Sequence, residues 1–194
     1  MKWTVQKMPR FHELEAKIEP DFASFAAGES LAITVKDHVS AASSSRHRTA
    51  SRLGAMPTGH LSEGAANIRM EEEGGRAVVT VPIPGITRAF GDLHITPKNK
   101  KWLTIPINAV AYGVRAKEMK DDGWRLFSVP SKKNPGTRIL FGRESGTKSA
   151  IALYLLRDEV DVPQDRGLMP SDEEMGEALA YGVKMAIEKE RFAS

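Results

Sequence analysis

Apolar residues recur with helical spacing near the start of the chain and with strand-like alternation further along. Leu31, Val35, Val39 and Ala42 fall on one helical face. They predict a long helix, begun by Asp21 as N-cap, that continues through Ser43–Ser45 to Leu53, with Gly54 just past its end. A shorter amphipathic helix is predicted over Phe11–Ile18, and Pro20 is expected to end it.

The period then changes to that of strands. Asn67–Glu72 and Ala77–Val81 flank Gly74-Gly75, which predicts a β-hairpin. Trp102–Ile107 is a further predicted strand. Three more are expected to follow as an antiparallel meander, joined by short turns, at Trp124–Val129, Arg138–Phe141 and Ala150–Leu156.

A second long helix is predicted at the end of the chain. Ser171 and Glu174 have the spacing of a capping box, with Ser171 as N-cap and Glu174 three residues later. A core-facing stripe at four-residue intervals is expected to extend the helix to about Lys189, through Met175, Leu179, Val183 and Ile187.

Together these elements predict an α+β fold, in which a small antiparallel sheet (hairpin plus meander) is packed by the long helix and the C-terminal helix. At 194 residues, the chain is expected to be a single domain, 1–194. Residues 1–30 are interpreted as an N-terminal extension. The Pro- and Gly-punctuated segment 82–101 is interpreted as a long loop or arm with little core of its own to bury.

Composition narrows the class of protein. With no cysteine, the chain has neither a disulfide framework nor thiolate chemistry. The longest apolar run, Ala150–Leu156, is far shorter than the roughly 20 residues of a membrane helix, and no signal peptide is evident. We therefore expect a protein made in the cytoplasm that has no membrane partner.

Charge is unevenly distributed along the chain. Residues 86–150 carry 13 basic and 5 acidic side chains, whereas residues 151–194 carry 5 basic and 10 acidic ones. A basic middle region is able to face a polyanion, and the acidic end is able to stack against the basic region of another copy. A solvated, solubilising surface is the third interpretation of the same pattern.

No pattern in the sequence indicates catalysis. The five histidines lack metal-ligand spacing, and the phosphate-binding loops and nucleophile motifs of enzymes are missing. The acidic cluster at Asp158-Glu159, Asp161 and Asp165 is interpreted as a solvated face or a subunit contact. The expectation is a protein that is not an enzyme, with no catalytic residue, cofactor or metal.

The candidate functional residues are lysines in two loop-like segments. They are Lys98, Lys100 and Lys101 in the first segment, and Lys132 and Lys133 in the second. Aromatic residues are not interleaved with them and no helix-turn-helix is evident, so any contact with DNA would be electrostatic and blind to sequence. These lysines are candidates either for facing DNA or for a subunit interface.

The order of the elements resembles that of a known family. A long helix leads to Thr58-Gly59-His60-Leu61, then a hairpin, an insertion and a meander follow, and Pro163-Gln164-Asp165-Arg166 precedes the Pro170-led terminal helix. This arrangement, together with Trp102–Ile107 and Ala111-Tyr112-Gly113, resembles tailed-phage virion morphogenesis proteins of the tail-completion and head–tail joining group, Mu-like prophage type. The resemblance covers roughly residues 35–187.

The resemblance implies a non-enzymatic structural protein of the virion neck or tail end, acting in tail completion, as a tail terminator or as a head–tail connector. It implies assembly in the host cytoplasm into a homo-oligomeric ring, expected to be a hexamer. Neighbouring neck, connector or tail-tube proteins would be its partners, and DNA would pass through the ring with non-specific contacts. The alternative is a non-specific nucleic-acid-binding module that uses the basic 86–150 region.

Overall fold

The computed structural model of the chain describes residues 2–4, 20–46, 48–132 and 134–193. Its contacts form two compact units. Unit 1 comprises Met1–Ser45, Gly59–Gly91 and Gln164–Ser194, and unit 2 comprises Arg46–Thr58 and Asp92–Pro163. The single domain expected from the length of the chain stays a prediction.

Helices and small antiparallel sheets make up both units, so the predicted α+β class is confirmed. The helices are α1 (Pro20–Ser45), α2 (Arg48–Leu53), α3 (His60–Ala66), α4 (Ala116–Asp121) and α5 (Asp172–Ala193). The strands are β1 (Lys2–Thr4), β2 (Arg69–Glu72), β3 (Ala77–Thr80), β4 (Leu93–Ile95), β5 (Leu103–Pro106), β6 (Arg125–Pro130), β7 (Arg138–Arg143), β8 (Ile151–Arg157) and β9 (Val160–Val162). Among the described residues no helix is long and apolar enough to cross a membrane.

Unit 1 contains a three-stranded antiparallel sheet with the order β1-β3-β2, packed by α1, which also contacts α3 and α5. The predicted hairpin is confirmed, because β2 pairs with β3 across a turn at Gly74 and Gly75. Both glycines have positive φ, at 61° and 74°, which only glycine adopts readily. Val35 and Val39 of α1 and Val79 of β3 are fully buried in the core between helix and sheet.

The terminal helix begins with the predicted capping box. The backbone N–H of Ser171 donates to the Glu174 carboxylate at 2.7 Å, and the N–H of Glu174 donates to Ser171 Oγ at 3.2 Å. Both bonds satisfy donors that the first turn of a helix leaves free. The bond from the Ser171 N–H, and a second one from the Ser171 hydroxyl to the same carboxylate at 2.9 Å, lower the pKa of the Glu174 carboxyl below its ordinary value.

The predicted stripe of α5 is only partly buried, Val183 and Ile187 included, and the most buried row lies one residue earlier than predicted. Met175 and Leu179 pack against the unit 1 core while staying partly exposed. The buried positions of this row are Ala178, Gly182 and Ala186. These small residues let α5 approach α1 closely: a Cβ on Gly182 would lie 2.7 Å from Cα of Ala27.

The expectation of a continuous helix to Leu53 is wrong, because α1 ends at Ser45 and a separate helix begins at Arg48. Near the end of α1 the hydroxyls of Ser43 and Ser44 donate to the carbonyls of Ser40 and Ala41, at 2.6 and 2.7 Å. Such side-chain bonds compete with helical hydrogen bonding and favour termination. Gly54 has a positive φ of 65°, as expected for a residue past a helix end.

The start of α1 also differs from expectation. Helix α1 begins at Pro20, so Asp21 lies inside its first turn and the predicted N-cap is wrong. Proline suits a first turn because its missing N–H would have no helical partner there. The helix predicted over Phe11–Ile18 lies outside the described residues. In the expected extension, β1 pairs with β3 and residues 20–30 form the first part of α1.

The prediction that segment 82–101 has little core to bury is wrong for its first half. Ile83, Ile86 and Ala89 are buried in the unit 1 core around a short 3₁₀ turn at Ile86–Ala89. Arg88 in this turn forms an ion pair with Asp165, with Nη2 to Oδ2 at 3.1 Å. Proline and glycine therefore shape a packed turn here.

Unit 2 contains a four-stranded antiparallel sheet with the order β5-β8-β7-β6, and a separate ribbon of β4 and β9. The predicted meander β6-β7-β8 is confirmed, and β5 joins it beside β8. One sheet face is covered by the core around Ala111, Met119, Leu153 and Tyr154. The hydroxyl of Tyr154 donates to the carbonyl of Val114 at 2.8 Å, which satisfies a polar group in that core.

Candidate functional site

The predicted site lysines that the structure describes are exposed in unit 2. Lys98, Lys100 and Lys101 lie between β4 and β5, and Lys132 lies in the turn between β6 and β7. Lys101 extends its Nζ over the ring of Trp102, 5.5 Å from the centroid, a cation–π distance. Lys133 lies outside the described residues. Exposure of these cations satisfies a first requirement for an electrostatic surface.

Strand order brings the two lysine segments to one end of the four-stranded sheet. Leu103 pairs with Arg157, and Arg138 pairs with both Leu156 and Pro130, so the start of β5 and the end of β6 lie at the same end. We call this the basic end. It is defined by Lys101, Lys132, Arg138 and Arg157, with Lys98 and Lys100 in the segment that leads into it.

The basic end is not uniformly positive. Asp158 and Glu159 follow β8 there, and Arg138 is partly engaged, because its Nη2 donates to the carbonyl and hydroxyl oxygens of Ser128 at 3.2 and 3.0 Å. The other cations are exposed, and none of them makes an ion pair with a residue that the structure describes. Such groups attract a polyanion over a distance of about 10 Å at moderate salt, without fixing its position.

A second surface of unit 2 combines aromatic, aliphatic and cationic side chains. On the sheet face away from the core, β6 and β7 align three cross-strand pairs, which we call the β6–β7 face: Arg125 with Arg143, Phe127 with Phe141, and Val129 with Ile139. The two phenylalanine rings stack, with centroids 5.8 Å apart and planes at 14°. Phe127 and Val129 remain 40% and 41% exposed on the edge strand.

The two arginines of this face lie directly opposite each other at one end of it. Arg125 and Arg143 are both exposed, and neither makes an ion pair with any residue that the structure describes. Like charges placed directly opposite on neighbouring strands destabilise a sheet. This pairing could not be predicted from the sequence, because only the β6–β7 register places the two arginines opposite each other.

The acidic cluster of the sequence is distributed between the two units. In unit 2, Asp161 Oδ1 lies 2.7 Å from His94 Nδ1, across the β4–β9 ribbon, and Glu159 Oε2 lies 3.7 Å from His94 Nε2. The hydrogen bond to Asp161 raises the pKa of His94 above its ordinary value, with Coulombic support from both carboxylates. Among the residues described, no group of three side chains has metal-binding geometry.

Unit 1 has an open groove between the middle of α1 and the N-terminal half of α5. Its volume is about 560 Å³. It is lined by Ser30, Thr34, His38, Glu174, Glu177 and Tyr181, among others. His38 Nε2 lies 3.2 Å from the carbonyl oxygen of Gly167. This contact engages one of the two ring nitrogens of His38.

The N-terminal half of α5 concentrates negative charge in unit 1. Asp172, Glu173, Glu174 and Glu177 all precede Lys184, the first basic residue of the helix. Tyr181 and Met185 are 60% and 44% exposed on the same helix. We call the exposed set Glu173, Glu177, Tyr181 and Met185 the α5 stripe. Its residues combine carboxylates at one end with apolar side chains at the other.

No family model matches the chain, and no curated protein or solved structure is significantly similar to it. The resemblance to tailed-phage virion morphogenesis proteins therefore stays a prediction.

Proposed function

We propose that this chain is a structural protein of the neck or tail end of a tailed-phage virion, where copies assemble into a ring through which DNA passes. The observation that supports it best is the basic end, where the strand order gathers cations from four separate stretches of unit 2. The acidic α5 stripe in unit 1 supplies a surface of opposite charge for contacts between copies.

In a ring, the modest charge of one subunit is repeated in every copy. Repetition around a closed ring multiplies each exposed lysine, while every single phosphate contact remains screened and easily broken. Contacts of this kind position a nucleic acid without reading its sequence, and they let it slide. The exposed lysines of the basic end have the properties that a passage for DNA needs.

The same lysines admit a second role, in which they pair with the acidic region of an adjacent subunit. The alternative function is a non-specific nucleic-acid-binding module that acts as a monomer through the basic 86–150 region. The exposed cations of the basic end are compatible with contact to DNA and with contact to another subunit, so assembly and DNA affinity have to be measured separately.

The test compares two double charge reversals of equal size within unit 2. K98E/K100E alters the approach to the basic end, whereas K117E/K120E alters α4, which leads into the opposite end of β6. All four lysines are exposed. Negative-stain microscopy and light scattering report ring assembly, and fluorescence anisotropy with a duplex reports affinity for DNA as a function of salt.

A DNA-facing role predicts that K98E/K100E still forms rings but binds DNA more weakly. Loss of two phosphate contacts makes the slope of log K against log salt shallower by about 2. An interface role predicts that K98E/K100E fails to assemble. In both cases K117E/K120E behaves as the wild type. A wild-type chain that binds DNA as a monomer supports the alternative function, and one that neither assembles nor binds DNA refutes the proposed one.

A further inference from the structure

We propose that the β6–β7 face of one copy binds the α5 stripe of a second copy, and that this head-to-tail contact joins neighbouring subunits. The inference rests on the proposed ring, and it names the two surfaces that would meet. Each surface is defined by described residues: three cross-strand pairs in unit 2, and four side chains of one helix in unit 1.

The β6–β7 face calls for a partner with negative charge at one end. Arg125 and Arg143 lie opposite each other and make no ion pair within the part of the chain that the structure describes, so a carboxylate from a partner would relieve their mutual repulsion. The neighbouring Phe127 and Val129 are about two-fifths exposed, although both side chains are apolar. Covering them would remove apolar surface from water, which is favourable.

The α5 stripe has the complementary arrangement. Glu177, Tyr181 and Met185 recur at four-residue intervals and fall within about 80° of one side of the helix. Glu173 extends the same side by one more interval. Carboxylates therefore lie at one end of the stripe and large apolar side chains lie at the other.

The spacings of the two surfaces also agree. Four residues along a helix advance about 6 Å, and two residues along a strand advance about 6.7 Å. A helix laid along β6 with Glu177 at the arginine pair would bring Tyr181 to the stacked phenylalanines. The next interval would bring Met185 to the Val129–Ile139 pair, where its flexible side chain absorbs the small remaining mismatch.

A second copy fits this surface better than a nucleic acid does. Of the six side chains on the β6–β7 face, only the two arginines are charged, and both lie at one end. A single-stranded nucleic acid carries a phosphate at every step and would lay charge along the apolar remainder. The α5 stripe carries charge only where the arginines lie. Because the two surfaces differ, repeated contacts produce a ring or a filament.

The experiment reverses the charge of each surface in the full chain. R125E/R143E replaces one like-charged pair by another, so the cost to the sheet is similar, whereas E173R/E177R reverses the stripe. Each variant alone is expected to raise the dissociation constant for self-association about 100-fold, measured by light scattering and analytical ultracentrifugation. Y181S, which replaces a side chain that is 60% exposed, is expected to weaken association without affecting the fold. Circular dichroism and thermal melting verify folding of all variants.

Mixing the two reversed variants is the decisive measurement. In the mixture, Arg125 and Arg143 of one variant meet the unaltered carboxylates of the other, and the reversed sets also match, so association returns. A contact within one chain would not be restored by mixing.

If rings like those of the wild type persist in R125E/R143E, the named contact is wrong, whereas the proposed ring is unaffected. If the wild type does not assemble at all, both the proposed function and the named contact are wrong. If R125E/R143E instead loses affinity for an oligothymidylate while keeping its mass, the face binds nucleic acid and this inference is overturned.

Discussion

Substituting Gly182 by alanine tests the close packing of α1 against α5. A Cβ at this position would meet the carbonyl oxygen of Ala26 and would lie 2.7 Å from Cα of Ala27. These are backbone atoms of another helix, so they yield only if the helices separate. Overpacking of this kind costs about 1–3 kcal/mol. Alanine is also the better helix former, by about 1 kcal/mol, which offsets part of that cost.

Gly176 of the same helix is the matched control, because a Cβ there would meet nothing within 4 Å. The gain in helix propensity is common to both variants, so the difference between them isolates the clash. We expect G176A to be more stable than G182A by about 1–3 kcal/mol. For a chain of this size the difference amounts to roughly 2–12 °C in melting temperature. Differential scanning calorimetry measures it, and equal melting temperatures would refute the described approach of α5 to α1.

Two further predictions concern the β4–β9 ribbon and the segment 82–101. Because Asp161 raises the pKa of His94, the stabilisation from protonated His94 is fully present below its ordinary value of 6.5 and is lost as pH rises through its folded-state value. D161N should therefore lower the pKa of His94 in an NMR titration more than E159Q does, and equal effects would contradict the bond to Asp161. I86A should lower the free energy of unfolding by about 2–5 kcal/mol, because Ile86 is 3% exposed, whereas T87A beside it should change it little. A denaturant titration compares the two, and an I86A chain as stable as T87A would put this segment outside the core.

Local signals in the sequence predicted local structure well. The alternation around Gly74-Gly75 and the Ser171–Glu174 spacing each determine geometry within a few residues, and both predictions are confirmed. The break after Ser45 was missed, because helical apolar spacing continues across it while the serine hydroxyls compete for carbonyls. Composition misled the interpretation of segment 82–101, since three apolar residues among prolines and glycines are sufficient to anchor a turn in a core.

The features of the candidate surfaces that the sequence did not predict all depend on long-range strand pairing. The lysines were identified as exposed cations, but their meeting at one end depends on β5 pairing with β8, about 50 residues away. The Arg125–Arg143 pair depends on the β6–β7 register, and the His94–Asp161 bond joins residues 67 positions apart. Periodicity gives the face on which a side chain lies, whereas its cross-strand neighbour is determined by strand order and register.

Unit 1 is built from three separate stretches of the chain, and the two stretches of unit 2 lie between them. This arrangement has a consequence for synthesis on the ribosome. The core of unit 1 joins Val35 and Val39 of α1 to Leu168 and Met169, which are translated about 130 residues later. All of unit 2 is translated before that last segment, so its sheet is able to form first. Until α5 emerges, the apolar side of α1 has no terminal helix to cover it. A nascent chain stalled before Met169 should therefore be a good substrate for chaperones that bind exposed apolar helices.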